Sequence, residues 1–404
     1  MEKMEIKLRT LTPLWTGGVD QTSDRLHETG LIGSLRWWYE ALVRGLGGYV
    51  CDPTSENPKV RCAFDSKAYE KAKKEGQSED EAIRAGLKTV CPVCYVFGCT
   101  GWARLFQLRA IEVPMTPLHF RTTLNMNGGW LKRVFGGEKG NIENLQVPYG
   151  ELHLQFTPRR YDEEYARTQF ALALRIAAEY GGLGARLQHG FGQIAYPRGL
   201  EDVSIAGGYS QLKAKIQQGF LRSSGTPIET PFDLKNFVSL TYHVPSGELK
   251  DFKRDQSHIG SSQKKQEIAY LPCVFDLRYK GEGKWGMRQW LKKKGWKESD
   301  DPQNLGEIDL LLGPRSQWRS GGKEKKIDEE LRTASRVFFG MPYCKDERTY
   351  VLRVWVFLHP ELRDHLSDVA ALKNLCNEYI QYVLDVQPVS IVFGEQILNQ
   401  TQGG

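Results

Sequence analysis

The residues of this sequence that are best suited to chemistry are cysteines. The stretch CPVCYVFGC contains Cys91, Cys94 and Cys99, in a chain with only eight cysteines among 404 residues. A Cys-x-x-Cys pair lets two thiolates face one metal ion across a tight turn, which is the spacing of zinc knuckles. Such an ion needs four ligands, and Cys51 and Cys62 stand upstream in loop-like contexts. We therefore expect a structural zinc site formed by Cys51, Cys62, Cys91 and Cys94.

Other interpretations of the cysteines stay open at this level. Cys99 could replace one of the four ligands. A redox pair would stand at the start of a core helix after a strand, whereas this pair lies in a loop-rich insertion, and unbound thiols are a third possibility. Catalytic zinc usually includes His or carboxylate ligands, which this cluster lacks, so we expect the site to hold the insertion together. The remaining cysteines with no expected role are Cys273, Cys344 and Cys376, interpreted as buried or incidental thiols.

A second set of residues could bind an anion. Arg36 follows Gly30, Gly33 and Ser34 in the opening turns of a predicted helix. Free N–H groups, the Ser34 hydroxyl and Arg36 could converge there on a phosphate. The alternative is that Arg36 pairs with Glu40, four residues further on, along a solvated helix face.

A glycine-rich loop, GGLGARLQHGFGQI, is the next candidate. Glycines allow close approach of a backbone to a ligand, and Arg or His can meet a phosphate or stack on a base. The candidate contacts to such a ligand are Gly184, Arg186, His189 and Gly190. It joins a helix to a strand, so it is not a dinucleotide-binding or P-loop motif. The alternative is a turn that needs glycine for tight packing.

Basic and aromatic residues interleave in the segment 119–137, HFRTTLNMNGGWLKRVFGG. Its position between two predicted strands indicates a protruding hairpin that could contact single-stranded nucleic acid. A protein–protein contact is the alternative, since such interfaces are also rich in aromatic residues and Arg. The candidate contacts to nucleic acid are Arg121, Asn125, Trp130, Lys132 and Arg133.

A second basic and aromatic segment lies at 280–297, KGEGKWGMRQWLKKKGWK. It predicts a short basic helix that could bind RNA, contact a partner subunit or simply present a solvated face.

Composition limits the class of protein. No apolar run approaches ~18 residues, so we expect no membrane span. The charged N-terminal stretch MEKMEIKLRT has no secretory signal pattern, and we expect a cytoplasmic protein with reduced cysteines. The net charge of +6 permits nucleic acid as a partner without requiring it.

The elements that must position these residues follow from the hydrophobic pattern. Residues 1–200 predict strand, helix, strand, strand, helix, strand, which is the ferredoxin-like arrangement. Two insertions interrupt it. One, at about 47–100, holds the cysteines and a polar, exposed helix pair, and the other is at about 114–148.

The second half of the chain repeats this element order. Residues 235–404 predict a second, degenerate ferredoxin-like unit, and 201–234 predict a loose connection. Residues 320–330 predict a solvated loop or linker. The expected fold class is therefore α+β, with two tandem ferredoxin-like (RRM-like) domains, a zinc-binding insertion and a hairpin insertion.

Four of these stretches together resemble the RAMP superfamily of CRISPR effector proteins, and most closely the first subunit of the type III-B, or Cmr, RNA-guided complex. They are, in chain order, LTPLWTGG, GLIGSLRWWYEALVRGLGG, CPVCYVFGCTGWARLFQLR and GARLQHGFGQI. In the second half, RTASRVFFGMP is similar to another stretch of that subunit. The resemblance covers most of the first domain strongly and the second weakly.

The resemblance implies a non-catalytic RNA-binding subunit that acts in antiviral defence. It would cap the region holding the 3′ part of the guide crRNA, near the 5′ part of the target RNA, and would contact other RAMP-type subunits. The first helix with Arg36, the protruding segment and the glycine loop would face RNA. In related backbone subunits a loop Asp cleaves target RNA, but no motif assigns that role here to Asp20 or Asp24.

Two rival functions stay open. The first is a metal-independent crRNA-processing endoribonuclease with a 2′-OH nucleophile, in which His27, His119 or His189 would act as general acid or base. The second is a protein–protein scaffold without RNA contact.

Overall fold

A computed structural model of the chain describes residues 3–17, 23, 25–57, 59–120, 146–159, 161–225, 230, 232–245, 257–259, 274, 277–278, 286–299, 301, 304–314, 317–320, 323–326 and 334–399. Within these ranges no helix is both long enough and apolar enough to cross a bilayer.

The first sheet is built around the N-terminal strand. β1 (Met4–Arg9) pairs antiparallel with β5 (Glu151–Pro158), which pairs on its other side with β2 (Phe106–Glu112). On the free side of β1, isolated antiparallel bridges join this end of the chain to the segment 194–198. The spatial order is therefore segment 194–198, β1, β5, β2.

Alternating side chains decide which face of this sheet packs inward. In β5, Leu152, Leu154 and Phe156 are buried, and the side chains between them are partly exposed. The helices α1 (Glu28–Gly45) and α5 (Glu163–Tyr180) contact each other and this sheet. Their apolar faces and the buried side of the sheet form one core.

The first insertion, between α1 and β2, contains three short helices: α2 (Ser66–Lys74), α3 (Glu79–Leu87) and α4 (Pro92–Phe97). The polar, exposed helix pair predicted between Cys62 and Cys91 is confirmed as α2 and α3. Because α2 buries little beyond Ala72, this pair contributes little core of its own.

The second insertion begins and ends in paired strands. β3 (Met115–Phe120) pairs antiparallel with β4 (Gln146–Pro148), and β7 (Ser257–Ile259) pairs with the later part of β3. The predicted RNA contacts Arg121, Asn125, Trp130, Lys132 and Arg133 lie outside the described residues.

The predicted loose connection at 201–234 is partly wrong, because it contains α6 (Ile205–Gln217). The hydroxyl of Ser204 caps this helix by accepting a hydrogen bond from the Gly207 N–H. Only a narrow stripe, which includes Tyr209 and Leu212, is buried. Such a thin stripe gives a weak periodic signal, and the two glycines in the first turn weaken it further.

The second sheet repeats the first in spatial order. It runs β10 (Val337–Phe339), β12 (Thr349–Phe357), β6 (Phe237–Pro245), β13 (Pro388–Phe393), all antiparallel. β11 (Tyr343–Asp346) pairs with the first part of β12. In chain order, the first unit has β1, β2, β5 and the segment 194–198, and the second unit has β6, β10, β12 and β13. Numbered in this way, both sheets have the spatial order fourth, first, third, second.

Four α-helices of the second half lie within the described residues, and the last two contact strands of this sheet. They are α7 (Met287–Lys293), α8 (Glu307–Leu312), α9 (Val369–Leu384) and α10 (Gly394–Leu398). The amphipathic helix predicted before the last strand is confirmed as α9, which contacts β6 and β12.

The predicted solvated loop at 320–330 is wrong for 323–326. β8 (Gln317–Ser320) and β9 (Lys323–Lys326) pair antiparallel there. The sequence KEKK has no apolar residue, so it shows no hydrophobic alternation from which a strand could be predicted.

Aromatic rings join the two units. Trp37, on α1, lies with its ring centroid 5.0 Å from that of Phe232 and 5.6 Å from that of Phe357. Its neighbour Trp38 makes an edge contact with Phe237 at 5.9 Å. This contact joins the first helix of one unit to the sheet of the other.

A buried cation also joins the units. Arg353, on β12, is 9% exposed and its Nη1 donates hydrogen bonds to the carbonyls of Ala178 (2.9 Å) and Gly181 (3.3 Å). These carbonyls lie at the C-terminal end of α5, where the helix dipole favours a positive charge. Burial lowers the pKa of Arg353, and the hydrogen bonds to the two carbonyls compensate for the hydration that the guanidinium loses.

Candidate metal centre and glycine loop

The structure brings Cys51, Cys62, Cys91 and Cys94 together. All four are buried, and their sulfur atoms lie within 4.8 Å of one another. Cys51 follows α1, Cys62 precedes α2, and the other two belong to the turn that opens α4. The cluster therefore joins both ends of the first insertion, as the sequence predicted.

The local sequence builds the Cys-x-x-Cys turn. Cys91 is the N-cap of α4 and Pro92 occupies the first helical position, where its missing N–H costs nothing. The Cys94 N–H donates to Cys91 Sγ (3.5 Å), and the Cys91 N–H donates to Cys62 Sγ (3.2 Å). Backbone donors of this kind stabilise negative charge on sulfur.

Arg36 is part of this centre. Its Nη2 lies 3.2 Å from Cys94 Sγ, its Nη1 donates to the Gly98 carbonyl (3.1 Å), and its Nε donates to Glu40 Oε1 (3.0 Å). Burial lowers the pKa of Arg36, but the negative charges of Cys94 and Glu40 outweigh that effect and raise it overall. A permanent cation therefore lies against one sulfur of the cluster.

The four sulfurs fit a tetrahedral metal ion. Zn–S bonds of ~2.3 Å place the sulfurs of a tetrahedral site roughly 3.8 Å apart. The observed separations are compatible with this value, since Cys51 Sγ and Cys94 Sγ lie 3.4 Å apart and all four sulfurs lie within 4.8 Å of one another. Interaction with the Cys51 sulfur, and then with those of Cys62 and Cys91, raises the pKa of Cys94. The pKa values of Cys51, Cys62 and Cys91 are lowered. A divalent ion would bind all four sulfurs as thiolates and release the protons that they carry.

Cys99 does not belong to this group. It is partly exposed and lies in the turn after α4, where its N–H donates to the Trp102 carbonyl. Cys376 is buried in α9, and burial raises its pKa to about 12. The Cys344 thiol, in β11, donates to the Asp346 carbonyl (2.9 Å), and Cys273 lies outside the described residues.

The helix-terminus argument for Ser34 and Arg36 does not hold. α1 begins at Glu28, so Ser34 is its seventh residue and Arg36 its ninth, beyond the turn whose N–H groups are free. The pair of Arg36 with Glu40, the alternative that the sequence allowed, is present. RNA contact by these two residues stays an untested prediction.

The glycine loop packs tightly against both units. A Cβ on Gly184 would lie 2.4 Å from the Trp15 carbonyl, and one on Gly190 would lie 2.6 Å from the Met341 nitrogen. Both glycines have positive φ. The Met341 N–H donates to the Gly190 carbonyl (3.1 Å), so the loop also contacts the second unit. The packing explanation for these glycines is therefore correct at these two positions.

Arg186, in this loop, is partly buried. It has a left-handed backbone (φ 60°), and its guanidinium lies 4.5 Å from the ring centroid of the buried Trp15. Its Nε has no hydrogen-bond partner among the described residues. Burial lowers the pKa of Arg186 to about 10, so it stays cationic at neutral pH. The Trp15 ring therefore holds a partly buried cation whose Nε is buried and unsatisfied within the described part of the chain.

His189 has a different environment. Burial, followed by the nearby charges of Arg278 and Arg186, lowers its pKa to about 3. Its imidazole is therefore neutral at pH 7 and cannot attract a phosphate by charge or donate a proton as a general acid.

The basic segment at 280–297 is packed in part. The predicted short basic helix is confirmed as α7, which buries Met287, Trp290 and Leu291. Arg288 is also buried and pairs with Glu298 and Asp309. Several of the residues that suggested a binding face are thus structural, and the lysines at the end of α7 remain exposed.

Comparison with known proteins gives one family match. Residues 7–195 match the sequence profile of the RAMP superfamily. No curated protein matches the chain. Among solved structures, it is similar to the apo crystal structure of Cmr1 from Pyrococcus furiosus, with 17% identity, a TM-score of 0.44, and 96% of this chain and 99% of the other covered. It is also similar to a chain of the type III-B Cmr-beta complex bound to cognate target RNA and AMPPnP, with 11% identity, a TM-score of 0.38, and 94% and 99% covered.

Proposed function

Because the segment 7–195 of this chain belongs to the RAMP superfamily, we propose that the protein is a non-catalytic, RNA-binding subunit of a type III-B CRISPR effector complex. Its partners are the guide crRNA, the target RNA and other RAMP-type subunits. It caps the region that holds the 3′ part of the guide, near the 5′ part of the target.

The observation that carries the RNA-binding role is Arg186. A partly buried guanidinium that stays cationic on the Trp15 ring, with a buried Nε that no described residue satisfies, is suited to a phosphate or to stacking on a base. Arg186 lies within residues 7–195, which match the family profile. At Gly184 and Gly190 its loop packs closely against the backbone of other segments.

The arrangement of the sheets supports two tandem ferredoxin-like domains. Both units use the strand–helix–strand–strand–helix–strand order, with insertions, and the same spatial order of strands. The second unit thereby repeats the first, as expected of a duplicated RNA-binding fold.

Zinc serves a structural role in this proposal. The residues Cys51, Cys62, Cys91 and Cys94 would hold it, and it would supply four bonds that anchor the otherwise poorly packed insertion. A sulfur-only, buried site leaves no open position for substrate. Arg36 belongs to this centre, while the contacts proposed beyond the described residues are Arg121, Asn125, Trp130, Lys132 and Arg133.

The test is RNA binding by the purified full-length chain, measured by fluorescence anisotropy with labelled guide RNA. We expect binding that weakens steeply with salt, and an affinity about 5- to 10-fold lower for Arg186→Gln than for wild type. Arg167→Gln is the matched control, because Arg167 pairs with Asp202 on the surface of α5. Absence of binding by the wild type at 50 mM salt would contradict the proposal and favour a protein scaffold.

The endoribonuclease alternative has a separate test. Pure protein incubated with repeat RNA in a chelator should leave it intact. Specific cleavage that His189→Ala abolishes would establish the enzyme instead.

A further inference from the structure

A basic cleft lies beside the cysteine cluster. It has a volume of about 680 Å³, within the ~300–1,000 Å³ range of ligand pockets. Its walls come from the first insertion and from the chain that follows α6. The charged residues that line it are Arg61, Lys88, Arg222 and Asp65.

Charge in the cleft is unbalanced. Three cations face one carboxylate, and that carboxylate is engaged because Asp65 Oδ1 accepts the Ala68 N–H (3.0 Å) at the start of α2. Arg61 and Lys88 are exposed. The cleft therefore presents an excess of positive charge to solvent.

The central cation is held by carbonyls and an aromatic ring. The Arg222 guanidinium lies 4.6 Å from the Tyr49 ring centroid, and its Nε donates to the Ser224 carbonyl (3.1 Å). Its other nitrogens donate to the carbonyls of Arg61 and Lys59. Carbonyls fix the side chain without neutralising it, so its full charge remains for an anion.

The cysteine cluster positions both walls of this cleft. Cys62 follows Arg61 directly, and Cys91 follows Val90, whose carbonyl accepts the Arg222 N–H (2.9 Å). The Thr89 hydroxyl donates to the Ala63 carbonyl (2.6 Å) and joins the two segments of the insertion that line the cleft. A metal ion bound by the cysteines would thus order the backbone that carries the cations.

We propose that this cleft binds the phosphodiester backbone of single-stranded RNA, and that the cysteine cluster serves to build it. This inference rests on the proposed RNA-binding function and adds a second contact, on the insertion, to the one at Arg186. Cations on fixed backbone, beside the hydroxyl-bearing residues Ser223 and Ser224, suit phosphates in a manner independent of base sequence.

The experiment compares two double variants of the full-length, zinc-loaded chain by anisotropy with a labelled, mixed-sequence 30-nucleotide RNA between 50 and 250 mM NaCl. Arg61→Glu/Lys88→Glu reverses the cleft charges. Lys67→Glu/Lys74→Glu makes the same change in net charge on exposed residues of α2. Zinc content and circular dichroism establish that each variant is folded.

We expect the cleft variant to lose at least about 10-fold in affinity, and its log–log salt slope to fall by about 1.4, since each contact to single-stranded RNA contributes ~0.7. The α2 variant should lose much less. Equal losses in the two variants, or none in the cleft variant, would overturn the inference.

A second measurement does not depend on variants. RNA containing 4-thiouridine, photocrosslinked to the wild type, should label peptides that contain residues 59–65 or 86–91. Suppose that crosslinks are confined to the glycine loop, and that RNA binding is lost in Arg186→Gln but kept in the cleft variant. This result would overturn the proposal for the cleft and leave the proposed RNA-binding function intact. No binding by the wild type would end both proposals.

Discussion

The Nη2 atom of Arg36 lies 3.2 Å from the Sγ atom of Cys94, across 58 residues of sequence. Four thiolates around a divalent ion carry a net charge of −2, and burying that charge is unfavourable unless it is partly neutralised. Arg36 supplies one compensating charge from a rigid helix. The first helix is therefore coupled to the cysteine insertion through a charge-assisted contact.

Replacing this cation should weaken metal binding without removing a ligand. We expect Arg36→Ala to lower zinc affinity by about 10- to 100-fold, as loss of a partner of a metal ligand generally does. Competition with a chromophoric chelator measures it. Arg44→Ala is the control, because Arg44 also contacts Glu40 but is not a partner of the sulfurs. Equal affinities for the two variants would contradict the coupling.

Removing one ligand should remove the ion. Elemental analysis of the wild type should give one zinc per chain, and Cys62→Ser should give almost none. We expect the variant to melt roughly 5 °C lower or more, since each kcal/mol shifts Tm by ~2–4 °C in a domain of this size. Cys344→Ser, at a cysteine of β11 outside the cluster, should retain both zinc and Tm. A wild type purified and refolded with zinc that still contains no metal would contradict the site.

The contact of Arg353 with the end of α5 should contribute to stability. Arg353→Ala leaves two helix-terminal carbonyls without their donor and opens a cavity between the units, so we expect a loss of about 2–4 kcal/mol in urea unfolding. Arg348→Ala, in the exposed turn before β12, should change the unfolding free energy by less than about 0.5 kcal/mol. A neutral Arg353→Ala would show that the carbonyls find other partners.

His189 should make stability depend on pH. Its pKa is about 3 when folded, against ~6.5 when unfolded, so the unfolded chain binds more protons between these values. Stability from this residue is present above pH ~6.5 and is lost as the pH falls, by up to about 1.4 kcal/mol per unit. His189→Gln should show a correspondingly shallower decline in urea midpoints between pH 7 and 5. Identical declines for the two proteins would show that His189 is solvated.

The sequence predicted the cluster of four cysteines because ligand spacing is a local pattern that survives folding. It likewise predicted β5 and α9, whose apolar periodicity matches their burial. It failed where the signal is not apolar, as in β9, or is spread over a thin stripe, as in α6.

Contacts made across long distances in the sequence were not predictable. Nothing near Arg36 indicates a sulfur 58 residues away, and its pair with Glu40 was visible only because it is local. Arg222 was missed for the same reason, since its partners belong to the insertion about 160 residues earlier. The pKa of His189 depends on Arg278, which the glycine motif does not contain.

The aromatic contact between Trp37 and the rings of Phe232 and Phe357 limits how this molecule can be dissected. A fragment cut near residue 230 would expose a large apolar surface on each piece. It would also remove Arg353 from the C-terminal end of α5. Such fragments would aggregate or bind other proteins nonspecifically. Loss of RNA binding by a fragment would therefore not locate the RNA-binding site on the intact chain.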